Sequence, residues 1–304
     1  MNQLTAQRIT PSWMHHAEGP CWSRTWGGLA WVDMLAGDVM TFTPEDQPRR
    51  QHVGDVAACV RPRAGGGQIV AVERGIVLTD ATGTVEREIG LWDTPDIRMN
   101  EGGVAPDGSF YVGSMAYDQA EGAATLYRVA TDLTWEPVLK GVSISNGIAW
   151  SPDGTLAYYN DTPTHEVSVF DWSAEGGLRN RRTFVAPVLD EHAAAAATDP
   201  EETYEPGSVS VSPDGLTVDS EGAVWVALNG AGQVHRYLPD GTLDTVVTVG
   251  AKQTTACALG GEDLRTLYIT TSRENLPDHV QPTAGSLYAV RVAVPGQVTA
   301  AFGG

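Results

Sequence analysis

Short runs of apolar and polar residues in alternation, separated by glycine-rich turns, follow one another along most of the 304-residue chain. Runs such as SFYVGSM, AVWVALN and EVSVFDW are typical of half-buried strands, and Pro-Asp-Gly and Glu-Gly supply the backbone angles of tight turns. Long helical periodicity is absent, apart from one alanine-rich stretch. The pattern therefore predicts an all-β protein built of hairpins.

The hairpins recur in register as an internal repeat. Three segments align without gaps, each with a polar residue eight positions before its turn glycine: Asn100 before Gly108, Asn146 before Gly154, and Asp214 before Gly222. The segment from Glu18 fits with one inserted residue, and weaker copies begin at Ala58 and Thr255. Six units of about 50 residues and about four strands match propeller blades. We predict a single domain over residues 1–304, a six-bladed β-propeller with about four antiparallel strands per blade.

One spacing exceeds the repeat. Asn146 and Asp214 stand about twenty residues further apart than Asn100 and Asn146 do. We assign the excess to the acidic, alanine-rich stretch at about 189–210, LDEHAAAAATDPEETYEPGSVS. A long loop in a compact domain has two common interpretations, a mobile surface loop and an active-site lid, and both stay open here.

Composition narrows the possible partners. The chain has 19 Lys and Arg against 38 Asp and Glu, a formal net charge of −19 without a basic run, so nucleic acid and anionic membranes are unfavourable partners. Its N-terminus lacks the pattern of a signal peptide, and its three cysteines, Cys21, Cys59 and Cys257, form no CxxC spacing. We predict a cytoplasmic protein with reduced thiols, a monomer or weak homo-oligomer, acting on a small molecule.

Polar residues recur at one position of the repeat. The innermost strand of each propeller blade lines the central channel, so Glu18, Asn100, Asn146 and Asp214 should converge on one point. Carboxylates that converge in a partly buried channel repel each other and lose hydration, and a cation compensates for both effects. Oxygen ligands favour hard ions such as Ca²⁺, Mg²⁺ or Mn²⁺. In the alternative interpretation, these side chains only cap strand ends or bond through channel waters.

At these positions the sequence resembles a known family, which comprises the senescence marker protein (regucalcin), gluconolactonase and related lactonases. The resemblance extends from about residue 17 to the C-terminus and implies a six-bladed propeller in which the N-terminal segment closes the last blade. Its segments are AEGPCWS, RMNEGGVAPDGSFYVGSM, SISNGIAWSPDGTLAYYNDTPT, SPDGLTVDSEGAVWVA, QTTACALGGEDLRTLYITTS and AGSLYAVRVAVPGQVTAAFGG.

The resemblance also implies a metal site. The Glu of the family's EGP motif, the Asn of SNG and the Asp of PDG correspond to Glu18, Asn146 and Asp214. These three would bind one divalent ion, with Ca²⁺ expected and Mg²⁺, Mn²⁺ or Zn²⁺ as alternatives. Asp214 is in addition the expected catalytic base.

Substrate contacts follow from the same resemblance. The family's Arg-x-Asn-Asp motif corresponds to Arg98, Met99, Asn100 and Glu101, and a further acidic contact falls near Asp118. The chain departs from the motif in two ways. Glu101 carries one methylene more than Asp, and Gly103 stands where Lys or Arg is frequent.

The expected reaction is hydrolysis of a sugar lactone or other small cyclic ester. The ion would polarise the carbonyl oxygen, Asp214 would accept the proton of the attacking water, and Arg98 and Asn100 would orient the substrate. Three alternatives remain: hydrolysis of a phosphotriester or fluorophosphate, a non-hydrolytic propeller reaction, and a non-catalytic calcium-binding role.

We assign two histidines and two cysteines to packing or surface positions rather than to the functional site. His15 and His16 precede Glu18, but adjacent residues on a strand point to opposite faces, so at most one could join the site. We assign both to surface or strand packing. Cys21 and Cys257 have no matched histidine base and are assigned to buried packing.

Overall fold

The computed structural model describes residues 1–42, 48–188, 211–277 and 280–304, and strands dominate these ranges. They form six sheets that correspond to the six repeats, which confirms the predicted six-bladed β-propeller with four antiparallel strands per blade. The helical segments of these ranges are two 3-10 turns, Met34–Ala36 and Thr162–Thr164. No helix of the described residues is long and apolar enough to span a membrane.

The strands follow the order of the blades. Two short strands come first and join later blades: β1 (Asn2–Thr5) and β2 (Gln7–Arg8). Blades one to three contain β3 (Ala17–Ser23), β4 (Gly28–Asp33), β5 (Asp38–Phe42), β6 (Arg49–His52), β7 (Ala57–Pro62), β8 (Gln68–Val72), β9 (Gly75–Thr79), β10 (Val85–Gly90), β11 (Ile97–Val104), β12 (Phe110–Ala116), β13 (Ala124–Val129) and β14 (Trp135–Val142). Blades four to six contain β15 (Ser145–Trp150), β16 (Leu156–Asp161), β17 (Val167–Ser173), β18 (Gly177–Val185), β19 (Ser212–Val218), β20 (Val224–Asn229), β21 (Gln233–Tyr237), β22 (Leu243–Thr248), β23 (Thr254–Gly260), β24 (Thr266–Thr271) and β25 (Tyr288–Arg291).

The N-terminal segment joins the last two blades. Strand β2 pairs antiparallel with β25 and becomes the fourth strand of blade six, so the first and last parts of the chain share one sheet, as the resemblance implied. Strand β1 adds a fifth strand to blade five by pairing parallel with β22. The repeat pattern did not predict this addition, because β1 carries no turn glycine that aligns with the other units.

The innermost strands form a closed ring, in which each contacts the first strand of the next blade. At one point, each inner strand has one residue more than the second strand of the same blade, with which it pairs. Such an extra residue is a β-bulge. In chain order, the six bulges lie between the following pairs of residues: Glu18 and Cys21, Ala57 and Cys59, Met99 and Gly102, Ser145 and Ile148, Pro213 and Leu216, and Thr254 and Ala256. The polar residues singled out in the sequence therefore lie in or directly beside bulges at the same position of their blades.

Glycines next to these polar residues let the inner strands approach each other. A Cβ atom at Gly147 would lie 2.5 Å from the backbone nitrogen of Leu216, and one at Gly215 would lie 2.3 Å from the Cβ of Ala256. Both contacts are shorter than real Cβ contacts, so only glycine fits without a shift of the neighbouring blade. This explains the Asn-Gly and Asp-Gly pairs of the repeat.

The insertion predicted at about 189–210 lies outside the described residues. It follows β18, the outer strand of blade four, and precedes β19, the inner strand of blade five.

The close approach of the inner strands leads to a stability prediction. Replacing Gly147 by Ala forces a methyl group against the backbone of the next blade, and we expect a loss of at least about 2 kcal/mol in the free energy of unfolding. Gly90 is the matched control, because a Cβ there meets nothing within 4 Å. Urea denaturation of Gly147→Ala and Gly90→Ala measures the difference. Equal stability of the two variants would contradict the steric explanation.

Candidate functional site

Three oxygen-bearing side chains are buried at the bulges of blades one, four and five. Glu18, Asn146 and Asp214 expose only 4%, 4% and 5% of their surface. They come from the inner strands β3, β15 and β19, so three different blades hold them around the channel.

Hydrogen bonds fix one side of two of these groups and leave the other side free. Asn146 donates from Nδ2 to Thr162 Oγ1 at 3.1 Å, and Asp214 Oδ2 accepts from Asn229 Nδ2 at 2.9 Å. Asn146 Oδ1 and Asp214 Oδ1 are buried and accept no hydrogen bond from the described residues. Buried acceptors without a donor are costly, and a cation satisfies them. The donor set thus fits a divalent ion.

The electrostatics lead to the same conclusion. Burial raises the pKa of Glu18 well above its ordinary value, and Asp214 and Glu101 raise it further. Burial also raises the pKa of Asp214 to about 7, an effect that the Asn229 hydrogen bond opposes and Glu101 reinforces. Within the described ranges, His, Cys, Asp and Glu alone form no group of three that could hold a metal. An ion here would therefore be held by the carboxylates of Glu18 and Asp214 together with other oxygens, of which Asn146 Oδ1 is one candidate.

Arg98 and Asn100 lie beside this set on β11. Arg98 is 5% exposed and donates from Nη1 to Asn100 Oδ1 at 3.0 Å. Asn100 in turn donates from Nδ2 to the carbonyl oxygen of Ser145 at 3.0 Å, and Ser145 directly precedes Asn146. Hydrogen bonds therefore link Arg98 and Asn100 to the strand that carries Asn146, and the roles of these residues at a metal or substrate site stay a prediction.

Glu101 is engaged elsewhere. Its Oε1 accepts from Arg61 Nη2 at 2.8 Å and from the backbone nitrogen of Gly102 at 2.8 Å. Arg61 comes from the neighbouring inner strand β7, so a positive charge lies beside Glu101 although Gly103 stands where Lys or Arg is frequent in the motif. A side chain at Gly103 has no room, because a Cβ there would lie 2.6 Å from the carbonyl oxygen of Ile148.

Glu101 and Arg61 line a cavity of about 360 Å³ further along the channel. The lining includes the free, buried Cys21 and Cys257 but not Glu18, Arg98, Asn100, Asn146 or Asp214. We call this cavity the second compartment, although its Glu101 lies close enough to the candidate ligands to raise the pKa of Glu18 and of Asp214. Burial raises the pKa of the Cys21 thiol to about 11, which agrees with a packing role for this residue.

The C-terminal segment closes this second compartment by contacting all six blades. The segment donates hydrogen bonds to one carbonyl oxygen in each blade. The pairs are Gly296 with Leu264, Gln297 with Trp150 and with Val218, Thr299 with Trp22, Phe302 with Pro62, and Gly303 with Gly108. The candidate ligands thus lie in a part of the channel that this segment does not line.

Asp118 lies on the exposed turn that follows β12. Its Oδ1 accepts a hydrogen bond from the backbone nitrogen of Ala120 at 3.0 Å. Its neighbour Tyr117 lies closer to the site, with the ring centroid 6.0 Å from Arg98 Cζ. A substrate contact of Asp118 remains a prediction.

His16 is buried and forms a β-bridge with Ser272, which agrees with the assigned strand packing, and it also borders Glu18. Its Nε2 is 3.8 Å from Glu18 Oε1, and its Nδ1 is 2.7 Å from Ser272 Oγ. Burial lowers the pKa of His16 to about 3, and Arg98 and His15 lower it further, so the ring is neutral at pH 7. Strand alternation limited the site to one of the two histidines, and His15 is the exposed one.

Comparison with known proteins identifies the family. A family profile described as "SMP-30/Gluconolactonase/LRE-like region" matches residues 16–273, a range that starts at His16 and contains every predicted site residue. The chain belongs to the SMP-30/gluconolactonase/LRE-like family. This confirms the resemblance stated from the sequence motifs.

Members of this family resemble the chain over nearly its whole length. A 6-deoxy-6-sulfogluconolactonase from Pseudomonas putida is 34% identical over 295 residues, which cover 94% of each chain. A pentonolactonase from Haloferax volcanii is 30% identical over 303 residues, which cover 97% of each chain. Among solved structures, a calcium-binding protein, regucalcin, from Agrobacterium tumefaciens matches with a TM-score of 0.85 at 25% identity and covers 99% of each chain.

The unfavourable burial of Asp214 leads to a calcium-dependent stability prediction. Because its folded pKa of about 7 exceeds the ordinary value of 3.8, its ionisation destabilises the metal-free fold as the pH rises. With chelator at pH 8, we expect Asp214→Asn to melt at least about 2 °C above the wild type. In excess calcium the order should reverse, because only the wild type keeps both carboxylates for the ion.

Asp219 provides the control for this measurement. It is fully buried, but its Oδ2 accepts from Arg236 Nε at 2.8 Å and from Trp225 Nε1 at 3.0 Å. Asp219→Asn should therefore lower the melting temperature with and without calcium. If Asp214→Asn behaves in the same way, the carboxylate does not need a cation.

Proposed function

We propose that the protein is a lactonase that hydrolyses sugar lactones with the help of one divalent cation. The observation that carries this proposal is the pair of unpartnered buried oxygens, Asn146 Oδ1 and Asp214 Oδ1, close to the carboxylate of Glu18. The lactonases among its relatives support the reaction class and a small-molecule substrate. The oxygen ligands and the calcium-binding relative favour Ca²⁺ as the ion.

Each residue has a stated role in this proposal. Glu18, Asn146 and Asp214 bind the ion, which when present supplies Lewis-acid polarisation of the lactone carbonyl. Asp214 accepts the proton of the attacking water at Oδ1, the oxygen that would also face the ion, while Asn229 holds Oδ2 in place. Arg98 donates hydrogen bonds to substrate oxygens.

Asn100 and His16 complete the proposed site. Asn100 holds the guanidinium of Arg98 through its Oδ1, and its amide nitrogen fixes it to the strand that carries Asn146. His16 is a neutral ring beside Glu18 and adds no charge that would compete with the cation. A non-catalytic calcium-binding role gives no reason for a buried arginine at this position.

The test measures kcat/KM for glucono-1,5-lactone and for a phosphotriester, with calcium and with chelator, after subtraction of spontaneous hydrolysis. We expect lactone turnover that depends on the ion and falls by about 10²–10⁴-fold in Asp214→Asn, because the base is lost. Asp240→Asn, in an exposed turn, is the control and should keep full activity.

Two results would contradict the proposal. Full lactone turnover in Asp214→Asn or in metal-free protein would remove the assigned base or the ion. Tight calcium binding without turnover of any lactone would favour the non-catalytic role, and turnover of the phosphotriester alone would favour the other hydrolase class.

A further inference from the structure

Arg98 is a buried cation without an ion-pair partner. It is only 5% exposed, and no carboxylate of the described residues lies within 4.0 Å of its guanidinium. Its hydrogen bonds all leave from Nη1, to Asn100 Oδ1, to the carbonyl oxygen of Met99 and to Met34 Sδ. Neither Nε nor Nη2 donates to a described residue. The N–H groups of Nε and Nη2, on one edge of the planar guanidinium, are thus left to donate to another molecule.

The groups that face Arg98 do not neutralise it at contact distance. The hydroxyl group of Tyr117 donates to Glu73 Oε1 at 2.6 Å, and its ring lies 6.0 Å from the guanidinium carbon. Glu274 acts on Arg98 only from beyond ion-pair distance, and its half-exposed carboxylate lies 3.5 Å from His16 Nδ1. Glu18 also lies beyond ion-pair distance and belongs to the proposed cation site.

The other buried charges of the channel balance one another. Glu101 is paired with Arg61 at 2.8 Å. In the proposed site, a divalent ion balances the two carboxylates of Glu18 and Asp214. Arg98 is the remaining buried charge, because Glu274, which faces it, is half-exposed, and a buried charge without a counterion at contact distance is unfavourable.

We propose that the substrate is a lactone with an anionic oxygen group, a sulfonate or a carboxylate, that forms an ion pair with Nε and Nη2 of Arg98. This inference rests on the proposed lactonase function and names its substrate class. The planar fork of a guanidinium binds such a group through two parallel hydrogen bonds. Arg98 alone would then attract the anionic group of the substrate, although the protein as a whole carries a net charge of −19.

The first arm of the test compares substrates. We would measure kcat/KM in calcium-loaded protein for glucono-1,5-lactone, for its 6-deoxy-6-sulfo analogue and for glucaro-1,5-lactone, which carries a carboxylate at C6. Because a charge-assisted bidentate pair is worth about 1.5–3 kcal/mol, we expect one of the two anionic lactones to be preferred by about 10–100-fold. The two anionic lactones distinguish a sulfonate from a carboxylate.

Variants assign the preference to Arg98. Arg98→Met keeps the length of the side chain without its charge, and should reduce the ratio of anionic to neutral kcat/KM to about one. Arg98→Lys keeps the charge without the fork and should retain part of the preference. Glu274→Gln removes a negative charge that faces Arg98 and should increase the ratio. Arg182→Met removes an arginine from an exposed ion pair with Asp171 on blade four, and should leave the ratio unchanged.

A second arm measures binding without turnover. Methyl glucopyranoside and its 6-deoxy-6-sulfo and 6-carboxylate analogues cannot be hydrolysed as lactones, and calorimetry gives their Kd values. A lower Kd for an anionic pyranoside in the wild type, lost in Arg98→Met, would show that Arg98 binds the anionic group of a ligand even if no lactone is turned over. That combination would reject only the proposed reaction. Circular dichroism confirms that each variant is folded.

The opposite result rejects the inference and leaves the lactonase proposal intact. Turnover of the neutral lactone at a rate equal to or above that of both anionic lactones, with no change of the ratio in Arg98→Met and no difference among the pyranosides, would show that Arg98 binds only neutral hydroxyl groups.

Discussion

One extra residue in each inner strand is the constraint on which the centre of this propeller depends. A regular strand would turn successive side chains to opposite faces, whereas a bulge re-aims a side chain at one level of the blade. The bulges of β3, β15 and β19 carry Glu18, Asn146 and Asp214, and glycines beside them keep the neighbouring strands close. Strand geometry therefore brings two carboxylates and an amide together in a buried place where carboxylates alone repel each other. The same geometry is expected to make the metal-free fold less stable at high pH and to make a cation favourable.

The channel contains two compartments with different charge balance. In the compartment closed by the C-terminal segment, Glu101 and Arg61 form a buried ion pair. In the candidate site, Arg98 donates a hydrogen bond to Asn100 but forms no ion pair with a carboxylate of the described residues. Buried groups that lack partners differ from the rest of a protein in needing a ligand to complete them. Buried charges without an opposite charge at contact distance, rather than the net acidity of the chain, therefore separate the candidate site from the Glu101–Arg61 pair.

Much of this arrangement could be predicted from the sequence, because a repeat with a polar residue before its glycine determines both the blade and the position of that residue. The closure of blade six by the N-terminal segment was predicted as well, from the family resemblance. The position of Glu101 could not be predicted, since its partner Arg61 lies on another blade and only packing brings the two together. The contact of His16 with Ser272 could not be predicted for a similar reason. Its partner Ser272 is 256 residues away in the chain, and no local pattern connects them.

The most direct test of this account is the anomalous diffraction of crystals grown with calcium chloride. The account predicts one strong peak in the channel, about 2.3–2.6 Å from oxygens of Glu18, Asn146 and Asp214. It also predicts that Asn146 Oδ1 and Asp214 Oδ1 are among these oxygens, because both are buried without a donor. A calcium-saturated crystal with no peak between these three residues, or with its ion bound at Glu101 instead, would contradict it.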